Sequence, residues 1–316
     1  MKTTITLLIL LSLTVAINGG IIKRIKNLSQ REVKAYFDYD ARYRMMPLGG
    51  AAYGPKDKIQ DCLDNVYGAG NATVTKIVEV ICDSSETDTC QGYTGVNHNE
   101  KAIIVAFRGS EGNLQILLEG SDALFSRKVS FVTGGKVCHY FNKAFYDMWN
   151  GGLRDDFLTL KNQYPGYEFW FTGHSLGGSL ATLAAAEVIH AGYASADDVI
   201  VITMGEPRTG DHEFAKNYDK IVKYNYRVVH NNDPIPHVPW EFIEYRHHKQ
   251  EVWYKNDMSE GSPFTMCPSD ESDRCSNSVL GLSADDHAIY FGKHMNNFGK
   301  EGCPGLVVPP PPAGAS

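Results

Sequence analysis

The sequence lacks a second long apolar run. Residues 5–17 form the one candidate, and they fall short of the ~20 apolar residues that a helix needs to cross a bilayer. A basic block is missing too. The chain has 37 acidic against 30 basic residues and a formal net charge of −7. Nothing here resembles the basic stripe that nucleic-acid binding requires, so nucleic acid is not an expected partner. No obligate protein partner is indicated either. Internal repeats are absent. One domain suffices for 316 residues of which 43% are apolar, enough for a large core.

What is present begins with a leader. Lys2, the apolar run at 5–17 and the small residues that follow read together as a secretory signal peptide over residues 1–20, cleaved after Ala16 or one of the next few residues up to Gly20. The protein is therefore expected outside the cell. Residues 21–306 are assigned to one domain. The Pro-rich tail at 307–316 is expected to be disordered. Secretion makes the seven cysteines readable as disulfides, with an odd one left over. Cys82 and Cys90 flank one short polar loop, and Cys267 and Cys275 flank another. Cys62 then pairs with Cys303 and leaves Cys138 over, although the sequence alone leaves this connectivity open. Asn27 and Asn71 each head an Asn-X-Ser/Thr sequon and are candidate glycan sites.

The middle of the chain alternates strands with helices. Residues 74–81 are strongly β-prone. The runs at 102–107, 167–172 and 199–204 are continuously apolar, as strands buried on both faces are. Residues 144–160 and 176–190 read as helices. Residues 227–230 read as a short strand, and 244–254 as a hairpin around His247 and His248. The pattern predicts an α/β fold, a mostly parallel central sheet with helices on both faces. Residues 21–60, with Gly49, Gly50 and Tyr53, read as helical core.

The organising stretch is Gly173-His174-Ser175-Leu176-Gly177, a G-x-S-x-G between a buried strand and an Ala-rich helix. In that context glycines let the backbone turn sharply and lift the Ser175 hydroxyl to the helix N-terminus, where unpaired N–H groups favour an oxyanion. A serine at its free pKa is a poor nucleophile and needs a base, with an acid to orient it. In sheets of this kind the acid and then the base follow the serine in the chain, on loops past strand ends. Asp233 fits the acid: it follows the 227–230 strand in a loop stiffened by Pro234 and Pro236. For the base, His237 lies too close to Asp233, and His247 and His248 are neighbours that point apart on a strand. His287 follows a polar loop and precedes an apolar stretch, with His294 in reserve. The oxyanion donors are the Leu176 backbone N–H and Ser110, which closes Phe107-Arg108-Gly109-Ser110. Residues 111–128 mix acids with Leu and Phe, the character of a short amphipathic helix or lid.

Phe-Arg-Gly-Ser at 107–110, Gly-His-Ser-Leu-Gly-Gly at 173–178, Gly-Glu-Pro-Arg-Thr-Gly at 205–210, Asn-Asp-Pro-Ile-Pro at 232–236 and Asp-His at 286–287 together resemble the class 3 lipases, over about residues 40–303. The resemblance implies an α/β-hydrolase core, a Ser175–Asp233–His287 triad and an oxyanion hole of Ser110 and Leu176. It implies ester hydrolysis through an acyl-enzyme, with no metal or cofactor, at a transient lipid interface. The chain departs from the family where Glu111-Gly112-Asn113-Leu114 follows Ser110 without the fungal members' Asn-Trp element. A triacylglycerol lipase is the expected activity. The rival readings are a phospholipase A1 or a soluble carboxylesterase of the feruloyl type on the same triad, and a catalytically dead secreted lipid-binding protein.

Overall fold

The apolar runs at 102–107, 167–172 and 199–204 supply the middle of an eight-stranded sheet. The computed structural model describes residues 35–82, 89–110, 125–279 and 281–312. The leader, Asn27, most of the 111–128 segment and the last four tail residues lie outside them. The architecture is that of the unit Phe37–Ser316.

A π-helical turn, Asp40–Met45, leads into helix α1 (Met46–Ala51), and α2 (Lys56–Tyr67) follows. Strands β1 (Ala72–Ile81), β2 (Thr89–Asn97) and β3 (Ala102–Phe107) pair antiparallel. A small ribbon, β4 (Lys128–Ser130) with β5 (Lys136–Cys138), precedes helices α3 (His139–Met148) and α4 (Arg154–Gln163). Next come β6 (Glu168–His174), α5 (Leu176–His190), β7 (Val199–Met204), α6 (His212–Ile221) and β8 (Tyr224–His230). Strands β9 (Glu251–Tyr254) and β10 (Thr265–Cys267) complete the sheet. The chain closes with α7 (Ala284–Ala288), the ribbon β11 (Ile289–Tyr290) and β12 (Lys293–His294), and α8 (Met295–Lys300).

The strand order is β1-β2-β3-β6-β7-β8-β9-β10. The run β3-β6-β7-β8-β9 is parallel, the mostly parallel sheet that the strand–helix alternation predicts. Its faces follow the period of two. Ile103, Val105, Phe107, Phe171 and Val201 point into a cluster with Phe141, Phe145 and Phe157 of α3 and α4 and with Leu180 and Leu183 of α5. On the opposite face Thr172 donates to Met45 O across 3.3 Å, and Tyr93 to Leu48 O across 3.0 Å, so the α1 region covers that side. Burying one such aliphatic or aromatic side chain contributes about 1.5–3 kcal/mol, and these contacts hold the strand ends in register for the site.

Four differences from the sequence reading have identifiable causes. The helix expected over 144–160 is broken: α3 and α4 are separated by a π-helical segment in which Gly152 takes φ 130°. The hairpin expected over 244–254 does not form. Arg246 makes an isolated bridge to Gly210, and β9 pairs instead with β8 in parallel and with β10 antiparallel. His247 and His248 draw their segment inward, each buried on a polar partner. Strand β2 went unread because Gly92, Gly95 and Asn97 depress its propensity, yet its neighbours hold it on both edges. Helix α6 also went unread; Asp211 caps it by accepting from Phe214 N–H at 2.9 Å.

Disulfides join Cys62 to Cys303, Cys82 to Cys90, and Cys267 to Cys275. The first ties α2 to the turn after α8, across 241 residues of sequence. Cys138 is buried at the end of β5, outside the disulfides.

Candidate active site

Parallel strands place their carboxyl ends along one edge, and here the register is tight. Phe107 faces Gly173, His174 faces Met204, and Met204 faces Val228. The residues that follow β3, β6, β7 and β8 therefore converge. They are Ser110, Ser175, Gly205 and Asp233.

Ser175 sits where β6 ends and α5 begins, at φ 58° and ψ −131°. That left-handed backbone is unusual for serine and is held by its surroundings. Its N–H donates to Met204 O at 2.9 Å. The turn is too tight for side chains at its flanks: a Cβ on Gly173 would stand 2.2 Å from Gly177 O, and one on Gly177 would stand 2.2 Å from Phe107 O. Leu176 is the first residue of α5, so its N–H belongs to the unpaired first turn of a fifteen-residue helix. Ser110 is half-buried at the end of the β3 loop, next to Gly109, which packs against the Ser175 side chain. The strand-end loops thus bring the β3 loop, at Phe107 and Gly109, against the Ser175 turn.

Asp233 and His287 meet although 54 residues separate them. The ring Nδ1 of His287 lies 2.9 Å from both carboxylate oxygens of Asp233. Tyr290 O–H donates to Asp233 Oδ2 at 2.6 Å, and the Ile235 N–H donates to Oδ1 at 2.8 Å. Asp233 is wholly buried. Burial alone would raise its pKa, but the His287 charge and the hydrogen bonds from His287, Tyr290 and the Ile235 N–H outweigh it and hold the carboxyl below its ordinary value. An ionised carboxylate only accepts, so Nδ1 of His287 carries the proton and Nε2 is left as a base. Gly205, at φ 59°, makes room for this pair: a Cβ there would stand 2.7 Å from Asp233 Oδ2 and 2.9 Å from His287 Nδ1.

Several residues that support this geometry are not marked out by the sequence. Tyr290 falls within the apolar stretch that follows His287. Asp286 fastens α7 to the Asp233 loop: its Oδ2 accepts from Asn231 Nδ2 at 2.9 Å and from the Asn232 N–H at 3.1 Å. His174, a variable position of the turn motif, stacks its ring on that of His287 at 4.5 Å and meets Tyr53. Tyr53 had been read as plain core. A polar residue inside an apolar motif was the available signal for His174; for Tyr53 there was none.

The other candidates lie elsewhere. His294 is exposed and caps α8 through Asn297 N–H. His237 is half-buried in the loop after Asp233, with its pKa lowered by burial. His247 reaches Pro236 O at 2.7 Å, and His248 reaches Glu206 Oε1 at 3.2 Å. Neither joins the Asp233–His287 pair. Asn71 lies in the turn before β1 and its amide donates to Tyr67 O at 2.7 Å.

The sequence model of the family described as Lipase (class 3) matches residues 104–242. A lipase of Caenorhabditis elegans is 34% identical over 310 residues, covering 88% of this chain and 86% of that protein. A secreted mono- and diacylglycerol lipase A of Penicillium camembertii is 35% identical over 175 residues, covering 54% of this chain and 53% of that protein, about half its length. A solved triacylglycerol lipase described as having a serine protease triad for its catalytic centre superposes with a TM-score of 0.68 at 26% identity, covering 80% of this chain and 93% of that one.

Proposed function

The chain belongs to the class 3 lipase family and has the α/β-hydrolase fold, and from that footing we propose that it is a secreted serine ester hydrolase cleaving acylglycerols through an acyl-enzyme on Ser175. The observation that carries the reading is the Asp233–His287 pair, buried at the strand edge from which the strained Ser175 projects.

In this reading His287 Nε2 takes the Ser175 proton as Oγ attacks the ester carbonyl. Asp233 holds the neutral ring in the tautomer with Nδ1 protonated, then stabilises the imidazolium. The Leu176 N–H and Ser110 donate to the developing oxyanion, each such donor contributing about 3–4 kcal/mol to the transition state. His287 then gives its proton to the departing alcohol, and water repeats the cycle on the acyl-enzyme. Three disulfides support an oxidising, extracellular compartment, as does the secreted Penicillium relative. For the substrate, the relatives' names range over mono-, di- and triacylglycerols.

The test compares wild type and Ser175→Ala on an emulsified long-chain triacylglycerol and on a short soluble ester. Turnover of the emulsion by wild type, lost in Ser175→Ala, is expected. Serine-dependent turnover of the soluble ester alone would move the substrate to the polar-lipid or carboxylesterase class. Absence of serine-dependent turnover on both would sink the hydrolase reading in favour of a lipid-binding role.

A further inference from the structure

His287 stands on α7, a helix of five residues. So short an element does not fix its own side chains, and Asp233 grips only one ring nitrogen. Two further contacts act on the same residue, and both come from His174. Its Nε2 lies 2.8 Å from the main-chain oxygen of His287, and its ring lies over the His287 ring at 4.5 Å with 29° between the planes. A carbonyl only accepts, so His174 Nε2 carries a proton. The Tyr53 hydroxyl stands 2.8 Å from His174 Nδ1. In a neutral ring that nitrogen has only a lone pair to offer, so the tyrosine donates. The chain of donors runs one way, Tyr53 O–H to His174, and His174 N–H to His287 O.

The ring must be neutral for this to hold. His174 is 4% exposed and Tyr53 3% exposed. Burial, with His287 beside it, pushes the His174 pKa down to about 3. A charged neighbour would oppose the imidazolium that His287 becomes during turnover. A neutral one leaves it unopposed. Tyr53 belongs to the turn that ends α1, where its N–H donates to Gly50 O at 2.9 Å. The brace therefore stands on the helical layer that covers the sheet, independent of the loops that carry Asp233.

We propose that His174, braced by Tyr53, is a positioning residue that fixes both the backbone and the ring plane of His287. The inference rests on His287 being the general base. A base misplaced by ~1 Å costs on the order of 10²-fold in rate, which sets the scale of the effect.

The test measures kcat and KM on a soluble short-chain ester, per active site titrated with a phosphonylating inhibitor, for wild type, His174→Phe, His174→Gln and Tyr53→Phe, with Ser175→Ala, which has no oxygen to phosphonylate, as the control per mole of protein. His174→Phe keeps an aromatic face against His287 and loses both hydrogen bonds. It is expected to lower kcat about 10- to 100-fold, with KM within about twofold. His174→Gln can donate to His287 O and accept from Tyr53, so it is expected to recover part of the loss. Tyr53→Phe removes only the hydroxyl and is expected to lower kcat about 3- to 10-fold; it carries the test if His174→Phe does not fold. A kcat per titrated site equal to wild type in the folded variants, a loss carried by KM, or a Gln variant no better than Phe would overturn the proposal. Wild type that neither titrates nor turns over better than Ser175→Ala would overturn the catalytic reading beneath it, an outcome distinct from all of these.

Discussion

Two buried histidine–carboxylate pairs stand at neighbouring strand ends, and they differ in one respect. His287 meets Asp233, and His248 meets Glu206 at 3.2 Å. Both carboxyls are pushed up by burial and pulled further down by their histidine and by hydrogen bonds, to below the ordinary range. Glu206 is the better enclosed. It accepts from Thr203 at 2.7 Å and from Thr182 and Thr209 at 2.9 Å. The difference is the second nitrogen of each ring. His248 Nδ1 faces Asn225 Oδ1 at 2.8 Å and Lys249 O at 3.3 Å, so both its nitrogens have partners. His287 uses Nδ1 alone, and among the described residues no hydrogen bond occupies its Nε2. The same pair of groups makes a structural pin in one place and a candidate acid–base couple in the other. What separates them is the lone pair left over.

The widest separation between the two pairs is expected from removing the carboxylate charge. Asp233→Asn is expected to lower kcat by about 10⁴-fold, because an amide neither selects the right tautomer nor stabilises the imidazolium. Its urea midpoint should fall as well, because the buried charge held by His287, Tyr290 and the Ile235 N–H is gone. Glu206→Gln should lose stability and keep its turnover. It breaks a buried charged network, which costs about 3–5 kcal/mol, while kcat per titrated site stays within about twofold. A large kcat loss in Glu206→Gln would erase the distinction between the pairs.

That distinction was only half legible in the sequence. Chain order and strand ends pointed to Asp233 and His287, and the two side chains meet. The turn motif pointed to Ser175, which takes the backbone of a sharp strand-to-helix turn. These signals are local: apolar runs give the strands, and a residue just past a strand falls at the sheet edge. His248 was set aside on the expectation of a hairpin. The residue does lie outside the site, but for another reason, because Glu206 and Asn225 hold it in the core. The support of the Asp233–His287 pair was hidden because it is non-local. Tyr53 reaches His174 across 121 residues, and Asp286 reaches Asn231 across 55. No periodicity or spacing encodes such a contact. The strand β2 escaped for a related reason: its neighbours, rather than its own residues, make it a strand.

A subtler change sharpens the comparison on the catalytic side. Tyr290→Phe removes the 2.6 Å donor to Asp233 Oδ2 and leaves His287 and the Ile235 N–H in place. A hydrogen bond to a charged group contributes about 1.5–3 kcal/mol. The variant is expected to lose stability of that order in urea at neutral pH. Because one of the groups that lower the Asp233 pKa is gone, that pKa should rise toward its unfolded value, and the stability lost on acidifying below about pH 4 should be smaller than in wild type. An acid-side stability loss identical to wild type would mean that the Tyr290 hydroxyl does not tune Asp233.

A change of pH separates the neutral histidines from the charged pairs. His174 and His247 are both held below the ordinary histidine value, chiefly by burial. As pH falls through about 6.5, the unfolded chain takes up protons at these positions and the folded chain does not. Their contribution to stability therefore declines from about pH 6.5 downward, and for His174 the decline continues to about 3. The carboxylates act later. Asp233 and Glu206 have depressed folded pKa values, so their contribution is complete above the unfolded value of about 4 and is lost as pH falls through the folded one. Urea midpoints measured between about pH 7 and 3 should then show two successive losses. His174→Gln should shrink the first and spare the second, and Glu206→Gln should do the reverse. A His174→Gln midpoint that falls between about pH 7 and 5 as steeply as wild type would mean that His174 takes up a proton in the folded protein, and the one-way donor chain from Tyr53 through His174 would fail with it.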